Sequence, residues 1–128
     1  MRLLLDTHAF LWWVSDDPKL SASARRHIAD GGNELLLSLA SSWEMAVKLS
    51  IGKLHLDAPL DRFLPQHMQI NAVSHLPLAF DHVCRVSTLP FHHRDPFDRM
   101  IAAQALVEGI ALVSVDQVFD AYGVERIS

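Results

Sequence analysis

The sequence predicts an α/β fold with three layers, in which a mainly parallel central sheet is flanked by helices. Three observations support this prediction. Short apolar runs, of the kind that form strands buried on both faces, recur along the chain. Stretches of helical length lie between them, so successive strands can be joined by right-handed crossovers. With 128 residues, half of them hydrophobic, we expect one domain, 1–128, that buries a substantial core.

The first strand is predicted at Leu3-Leu4-Leu5 and ends at Asp6. Ligand sites of open α/β sheets lie at the carboxyl ends of strands, so a functional role for Asp6 is preferred over a helix cap. The following helix, residues 8–14, is apolar all round and therefore buried on two sides. Its tandem residues Trp12 and Trp13 serve either the core or a partner surface, and the sequence does not separate these alternatives.

Two further helices and one strand are predicted before residue 52. A polar helix over residues 21–30 is ended by a pair of glycines, and residues 34–38 form the second buried strand. The next helix is predicted to begin at Ser41. Ser41 and Glu44 have the spacing of a capping box, and this interpretation of Glu44 is favoured on the segment alone.

The middle of the chain gives weaker signals. Helices are predicted over residues 59–69 and 77–86, with a weakly supported strand at 72–74 between them. A loop containing His92 and His93 follows. Either histidine could bind a metal or a phosphate, but adjacent side chains rarely point at the same place. A solvated loop is therefore the favoured interpretation.

The most informative stretch begins a long helix at Asp95-Pro96-Phe97-Asp98. Asp95 is a good N-cap, and Pro96 suits the first helical position, where no N–H is needed. Asp98 then lies in the first turn, where the helix dipole favours a negative charge. Gly109 is placed to end this helix.

The last predicted elements are strands over residues 110–116 and 123–127. The first of them ends at Asp116. Taken alone, Asp116 is best interpreted as the N-cap of a short turn. No internal repeat, linker or low-complexity segment interrupts this pattern.

Each acid taken alone could be a helix cap or another ordinary structural residue. The positions of all four acids relative to the predicted strands and helices are harder to explain by structural roles alone. Asp6 and Asp116 end strands, whereas Glu44 and Asp98 lie in predicted first turns of helices, and in a parallel sheet these points share one edge. Four unneutralised carboxylates would repel one another, and a divalent cation removes that repulsion. Oxygen ligands without sulfur select Mg²⁺ or Mn²⁺, so the pattern predicts a metal-dependent phosphodiesterase site.

Polar residues near these acids have two possible roles each. Thr7 and Ser114 could hold a carboxylate or a water of the metal, or could be ordinary capping and strand residues. Arg94 and Arg99 could contact phosphate, or could be surface charges of a helix. The sequence leaves these alternatives open.

Composition excludes several classes of protein. No apolar run approaches the ~20 residues of a membrane span. The single cysteine, Cys84, excludes an internal disulfide and a cysteine-rich zinc site. The formal net charge of −4 argues only weakly against a nucleic-acid partner, because four acids in a metal site would account for it. We therefore expect a cytoplasmic protein.

Four stretches resemble one known family, the PIN-domain ribonucleases, and within it the VapC-type toxins of bacterial toxin–antitoxin pairs. They are Leu-Leu-Asp-Thr-His at 4–8, Ser-Ser-Trp-Glu-Met-Ala-Val-Lys at 41–48, Arg-Asp-Pro-Phe-Asp-Arg-Met-Ile-Ala-Ala-Gln-Ala at 94–105 and Leu-Val-Ser-Val-Asp at 112–116. The resemblance implies a PIN-like fold with its acidic site at Asp6, Glu44, Asp98 and Asp116. It also implies Mg²⁺- or Mn²⁺-dependent cleavage of RNA, a homodimer and inhibition by a cognate antitoxin.

Two other hypotheses remain. One is a phosphoryl-transfer enzyme, such as an aspartyl-phosphate phosphatase, but Thr7-His8 follows Asp6 without the second acid that such an enzyme needs two residues on. The other is a non-catalytic RNA- or protein-binding module, which the presence of all four acids disfavours. No nucleophilic triad or phosphate-binding glycine loop is evident.

Overall fold

A computed structural model describes all residues, 1–128, and contains one five-stranded sheet with the strand order β3-β2-β1-β4-β5. Every neighbouring pair of strands is parallel, which confirms the predicted fold class. The strands are β1 (Arg2–Leu5), β2 (Glu34–Ser38), β3 (Val73–Leu76), β4 (Ala111–Val113) and β5 (Arg126–Ile127).

Helices cover both faces of this sheet and give the predicted three layers. They are α1 (Thr7–Val14), α2 (Ala22–Ala29), α3 (Leu39–Ser50), α4 (Leu60–Ile70), α5 (Phe80–Val86), α6 (Pro96–Glu108) and a 3₁₀ helix, Gln117–Tyr122. Successive side chains of β1 point to opposite faces, so Leu3 and Leu5 join a core with helices α1 to α4. Leu4 joins a second core, formed mainly with α6 and the 3₁₀ helix. None of the helices has the length and apolarity needed to span a membrane.

The centre of the sheet determines where the acids can meet. β1 pairs with β2 on one side and β4 on the other, with Leu5 opposite both Leu37 and Val113. The pairing continues one step further, because the Asp6 N–H donates to the Val113 carbonyl at 3.1 Å. Since all three strands are parallel, their carboxyl ends lie side by side at the same edge.

The prediction for the start of α3 is wrong. β2 runs into α3 without a loop, and Ser38 is the N-cap, accepting a 3.0 Å hydrogen bond from the Ala40 N–H. Glu44 therefore lies in the second turn and forms no capping box with Ser41. Glu44 also lies outside the first turn of α3, within which the helix dipole favours a negative charge.

Other differences concern the ends of elements. β3 extends to Leu76, α5 begins only at Phe80, and β4 stops at Val113 rather than continuing to Asp116. α5 starts late because the Ala79 N–H donates to His82 Nδ1, at 3.0 Å, at the point where the helix begins. β4 ends early because the Asp116 N–H bonds to the Ser114 hydroxyl instead of a neighbouring strand.

Candidate metal centre

Asp98 is placed by the start of α6, as the sequence predicts. Asp95 is the N-cap, and its Oδ1 accepts hydrogen bonds from the N–H groups of Phe97 (2.8 Å) and Asp98 (3.2 Å). Pro96 occupies the first helical position. These caps fix the first turn of α6, so the Asp98 carboxyl is presented at the edge of the sheet, with 23% of its side chain exposed.

Asp116 is placed by the segment after β4. It is the N-cap of the 3₁₀ helix, and its Oδ1 accepts a 3.0 Å hydrogen bond from the Val118 N–H. The capping interpretation of Asp116 is thus confirmed, and its Oδ2 is left to face Asp98. Ser114 links this acid to the next, because its hydroxyl accepts from the Asp116 N–H and bonds to the Asp6 carboxyl.

Asp6 is buried directly after β1 and has two structural partners. Its Oδ1 accepts a 2.7 Å hydrogen bond from the Ala9 N–H, so Asp6, and not Thr7, caps α1. Burial raises the pKa of Asp6, and the hydrogen bond from Ser114 opposes that rise. Asp6 is therefore a helix cap, the interpretation that the sequence disfavoured, and the functional role preferred for it stays a prediction.

Glu44 is held by hydrogen bonds from Thr7 and Lys48 near the carboxyl ends of the central strands. Its Oε1 accepts from the Thr7 hydroxyl at 2.7 Å, and its Oε2 accepts from Lys48 Nζ at 2.6 Å. Thr7 Oγ1 also lies 2.9 Å from Ser41 Oγ, so α1 and α3 are joined at this point. The hydrogen bond to Glu44 raises the pKa of Lys48, which keeps the amine charged beside the acid. Thr7 thus positions a carboxylate, one of the two roles left open for it.

His93 is the site residue that sequence reasoning missed. Its Nε2 lies 3.1 Å from Asp98 Oδ2 and 3.0 Å from Asp116 Oδ2. One ligand atom from each of these three residues can be chosen so that all lie within 4.8 Å of one another. The interpretation of His93 as part of a solvated loop is therefore wrong, whereas its neighbour His92 is exposed. The only signal in the sequence was its position two residues before the Asp95 cap.

The two arginines of the same stretch have different environments. Arg94 is exposed and makes no hydrogen bond to the protein, so it is free to contact a phosphate. Arg99 is buried, and its guanidinium donates to the carbonyls of Pro90, Leu89 and Val86. Neither role predicted for Arg99 is correct, because this side chain points into the loop that precedes α6 and away from solvent.

The pKa of Asp98 is shifted both by burial and by the neighbouring charges of the site. Burial, together with the neighbouring carboxylates of Asp95, Glu44 and Asp6, raises the pKa of Asp98 to about 7, while His93 opposes the rise. The acids from four separate elements therefore share one electrostatic environment with an excess of negative charge. Oxygen ligands under such repulsion suit a hard divalent cation, which would relieve it.

The PIN domain family matches residues 3–125 of the chain. The chain belongs to this family. Among curated PIN-domain relatives, the ribonuclease VapC22 of Mycobacterium tuberculosis is 31% identical over 117 residues, which cover 90% of this chain and 87% of VapC22. The ribonuclease VapC16 of the same organism is 38% identical over 69 residues, covering 51% of this chain and 48% of VapC16.

Solved structures resemble this PIN domain over nearly its whole length. VapBC2 from Rickettsia felis, bound to a DNA fragment from its promoter, has a TM-score of 0.70 at 14% identity and covers 100% of both chains. VapBC-1 from nontypeable Haemophilus influenzae has a TM-score of 0.66 at 15% identity, covering 98% of this chain and 96% of that one. FitAcB from Neisseria gonorrhoeae has a TM-score of 0.63 at 16% identity, with coverage of 98% and 96%. At these identities the similarity concerns the fold alone.

Proposed function

We propose that this PIN domain is an endoribonuclease that depends on Mg²⁺ or Mn²⁺ and serves as the toxin of a toxin–antitoxin pair. The observation that carries the proposal is the convergence of acids from four elements, with Asp98 Oδ2 and Asp116 Oδ2 both within 3.1 Å of one nitrogen. The family match and the ribonuclease relatives support RNA as the substrate.

The donor set fits the proposed cation. Asp98 and Asp116 would hold the ion, and Asp6 and Glu44 complete the acidic ligand set predicted from the sequence. No sulfur and no second histidine lies in the cluster, so Mg²⁺ or Mn²⁺ suits it better than a soft metal. When bound, such an ion lowers the pKa of a water and offsets the charge of the phosphodiester.

The remaining residues of the site have supporting roles in this proposal. Thr7 and Lys48 fix the direction of the buried Glu44 carboxylate. Ser114 joins Asp6 to the Asp116 backbone, so the two strand ends keep a constant separation. Arg94 is exposed one residue before the Asp95 cap and is the proposed contact for an RNA phosphate.

A cleavage assay tests the proposal. The wild-type protein should cut single-stranded RNA with Mg²⁺ or Mn²⁺ and lose this activity in EDTA. Asp6→Asn, Glu44→Gln, Asp98→Asn and Asp116→Asn should each reduce the rate by about 100-fold or more, because a ligand to the ion is lost. Asp61→Asn is a matched control, since Asp61 is an exposed acid in the first turn of α4.

The same assay separates the competing hypotheses. Hydrolysis of p-nitrophenyl phosphate without cleavage of RNA would instead indicate a phosphatase. Binding of RNA without cleavage by any metal would indicate a non-catalytic module. Undiminished cleavage by both Asp6→Asn and Asp98→Asn would overturn the acidic site itself.

The proposed partners are an antitoxin and a second copy of the chain. The structural relatives include toxin–antitoxin complexes by name, such as VapBC2 and VapBC-1. Two exposed apolar residues of α5, Phe80 and Val83, are the surface proposed for a homodimer, because large apolar side chains in contact with water favour association. The protein encoded directly upstream should suppress RNA cleavage when co-expressed, and we propose that both act in the cytoplasm.

A further inference from the structure

His93 connects two acids that belong to different parts of the chain. Asp98 lies on α6 and Asp116 follows β4, and their Oδ2 atoms lie 3.1 and 3.0 Å from the same atom, His93 Nε2. No other side chain contacts both carboxyls. The His93 side chain is 19% exposed, so it lies at the wall of the site and not in bulk water.

The hydrogen bond at the second ring nitrogen, Nδ1, determines whether Nε2 carries a proton. His93 Nδ1 lies 3.2 Å from the Asp95 backbone nitrogen, which carries a hydrogen and can only donate. Nδ1 must therefore accept and carry no proton. A neutral imidazole has one proton, so that proton is on Nε2, which donates it to Asp116 Oδ2 at 3.0 Å and lies 3.1 Å from Asp98 Oδ2. In this tautomer Nε2 has no lone pair for a metal.

Tyr122 and the buried Arg99 hold the loop that carries His93. The His93 N–H donates to the Tyr122 hydroxyl at 2.8 Å, and the same hydroxyl accepts from Arg99 Nη1 at 3.3 Å. The Arg99 guanidinium also donates to the carbonyl of Pro90 at 2.9 Å. This buried arginine thus fixes the backbone on which the imidazole is mounted.

We propose that His93 is a positioning residue of the metal site: it donates its Nε2–H to Asp116 Oδ2, with Asp98 Oδ2 3.1 Å from the same nitrogen, and holds the two carboxylates at the separation that one cation needs. The inference rests on the proposed function, because it gives these two acids to a divalent ion. His93 does not bind the ion in this arrangement. Asp116 Oδ1 accepts from the Val118 N–H and Asp116 Oδ2 accepts from the imidazole, so the direction of this carboxyl is fixed before an ion binds.

Metal affinity tests the proposal without reference to catalysis. Mn²⁺ binding should be measured by calorimetry on four proteins: wild type, His93→Phe, His93→Gln and His92→Gln. His93→Phe keeps a flat ring but loses the donor, and should weaken binding by about tenfold or more. His93→Gln keeps an N–H donor on a neutral side chain and should recover most of the affinity. His92→Gln changes the exposed neighbour and should bind as the wild type does.

The tautomer gives a second, independent measurement. In ¹⁵N-histidine-labelled wild-type protein, His93 should show a protonated Nε2 and a bare Nδ1 both before and after addition of Mg²⁺. Loss of the Nε2 proton on Mg²⁺ addition would make His93 a ligand and overturn the proposal. This spectrum keeps the proposal testable even if His93→Phe does not fold.

The outcomes distinguish the two proposals. Equal Mn²⁺ affinity in wild type and His93→Phe would overturn the positioning role and leave the nuclease proposal intact. Mn²⁺ binding that depends on His93 in a protein that cleaves no RNA would overturn the nuclease proposal alone. Absence of Mn²⁺ binding by the wild type would overturn both.

Discussion

Lys48 Nζ lies 2.6 Å from Glu44 Oε2, one helical turn away on α3. The Glu44 side chain is 4% exposed, whereas the Lys48 side chain is 36% exposed, so the amine reaches in from solvent to a buried acid. The spacing of four residues is the one at which helical ion pairs form. The buried Glu44 carboxyl therefore has a charged partner before any metal is bound.

The first prediction concerns this pair. Lys48→Met should destabilise the protein by about 1–3 kcal/mol, because it leaves a buried charged acceptor without its donor. Glu44→Gln combined with Lys48→Met should restore most of that loss, since no buried charge remains. Urea unfolding of the wild type, the two single variants and the double variant measures the coupling. Additive losses would show that the two side chains do not depend on each other.

The second prediction concerns metal linkage. Mg²⁺ or Mn²⁺ should raise the melting temperature, because the folded protein gathers the acids and the unfolded chain does not. A ligand at about 100 times its Kd stabilises by about 2.7 kcal/mol. Asp6→Asn/Asp98→Asn should abolish the shift, and Asp61→Asn should keep it. An unchanged shift in the double variant would place the ion elsewhere.

The third prediction concerns pH in the absence of metal. The pKa of Asp98 is about 7 in the folded protein and 3.8 when unperturbed, so between these values the folded state holds a proton that the unfolded state has released. Stability should therefore fall as pH rises from about 4 to about 7, through this group and, in the same direction, through Asp6. Asp98→Asn should melt higher than the wild type at pH 7, with little difference at pH 4.

Melting curves in EDTA between pH 4 and pH 8 provide this measurement. The difference in melting temperature between Asp98→Asn and the wild type should grow with pH and become constant above about pH 7. Asp61→Asn should follow the wild type throughout. A difference that does not change with pH would contradict the raised pKa of Asp98.

The fourth prediction concerns the tryptophans of α1. Both Trp12 and Trp13 are half-buried against the core shared by α1 to α4, and Trp13 Nε1 donates to Asn71 Oδ1 at 3.0 Å. Trp13→Ala should cost about 3 kcal/mol of folding stability, because it removes packing and this link to the end of α4. Chemical unfolding and association must be measured on the same Trp12→Ala and Trp13→Ala proteins. Loss of association with unchanged stability would instead identify an interface.

Much of the site could be predicted where local chemistry decides the geometry. Asp95, Pro96 and Asp98 occupy their expected positions, because capping and proline stereochemistry act within one turn. Glu44 raises the pKa of Asp98, although it lies in the second turn of α3 and not in the predicted first turn. β2 continues directly into α3, so the N-cap is Ser38 and not the predicted Ser41. No sequence pattern in this segment indicates that the strand and the helix are joined without a loop.

The errors concern side chains whose direction depends on distant residues. His93 and Arg99 lie in the same short stretch, yet one points to the acids and the other into the core. Both orientations depend on Tyr122, which lies more than twenty residues further along the chain and accepts a hydrogen bond from each. A single sequence offers no spacing rule for such contacts, because they arise only when the 3₁₀ helix packs against the loop.

The central position of β1 in the sheet also determines when, during translation, the acidic site can form. Leu3 gains its second neighbouring strand only after Ala111 has been synthesised, and the Asp6 N–H gains its acceptor only after Val113 has been synthesised. At a translation rate of roughly 5–20 residues per second, that delay is roughly 5–20 s. A nascent chain on the ribosome therefore cannot assemble the acidic site until the segment that contains Asp116 has emerged. Under the proposed function, the nascent chain would cleave no RNA during that interval, and the proposed antitoxin would have the same interval in which to bind.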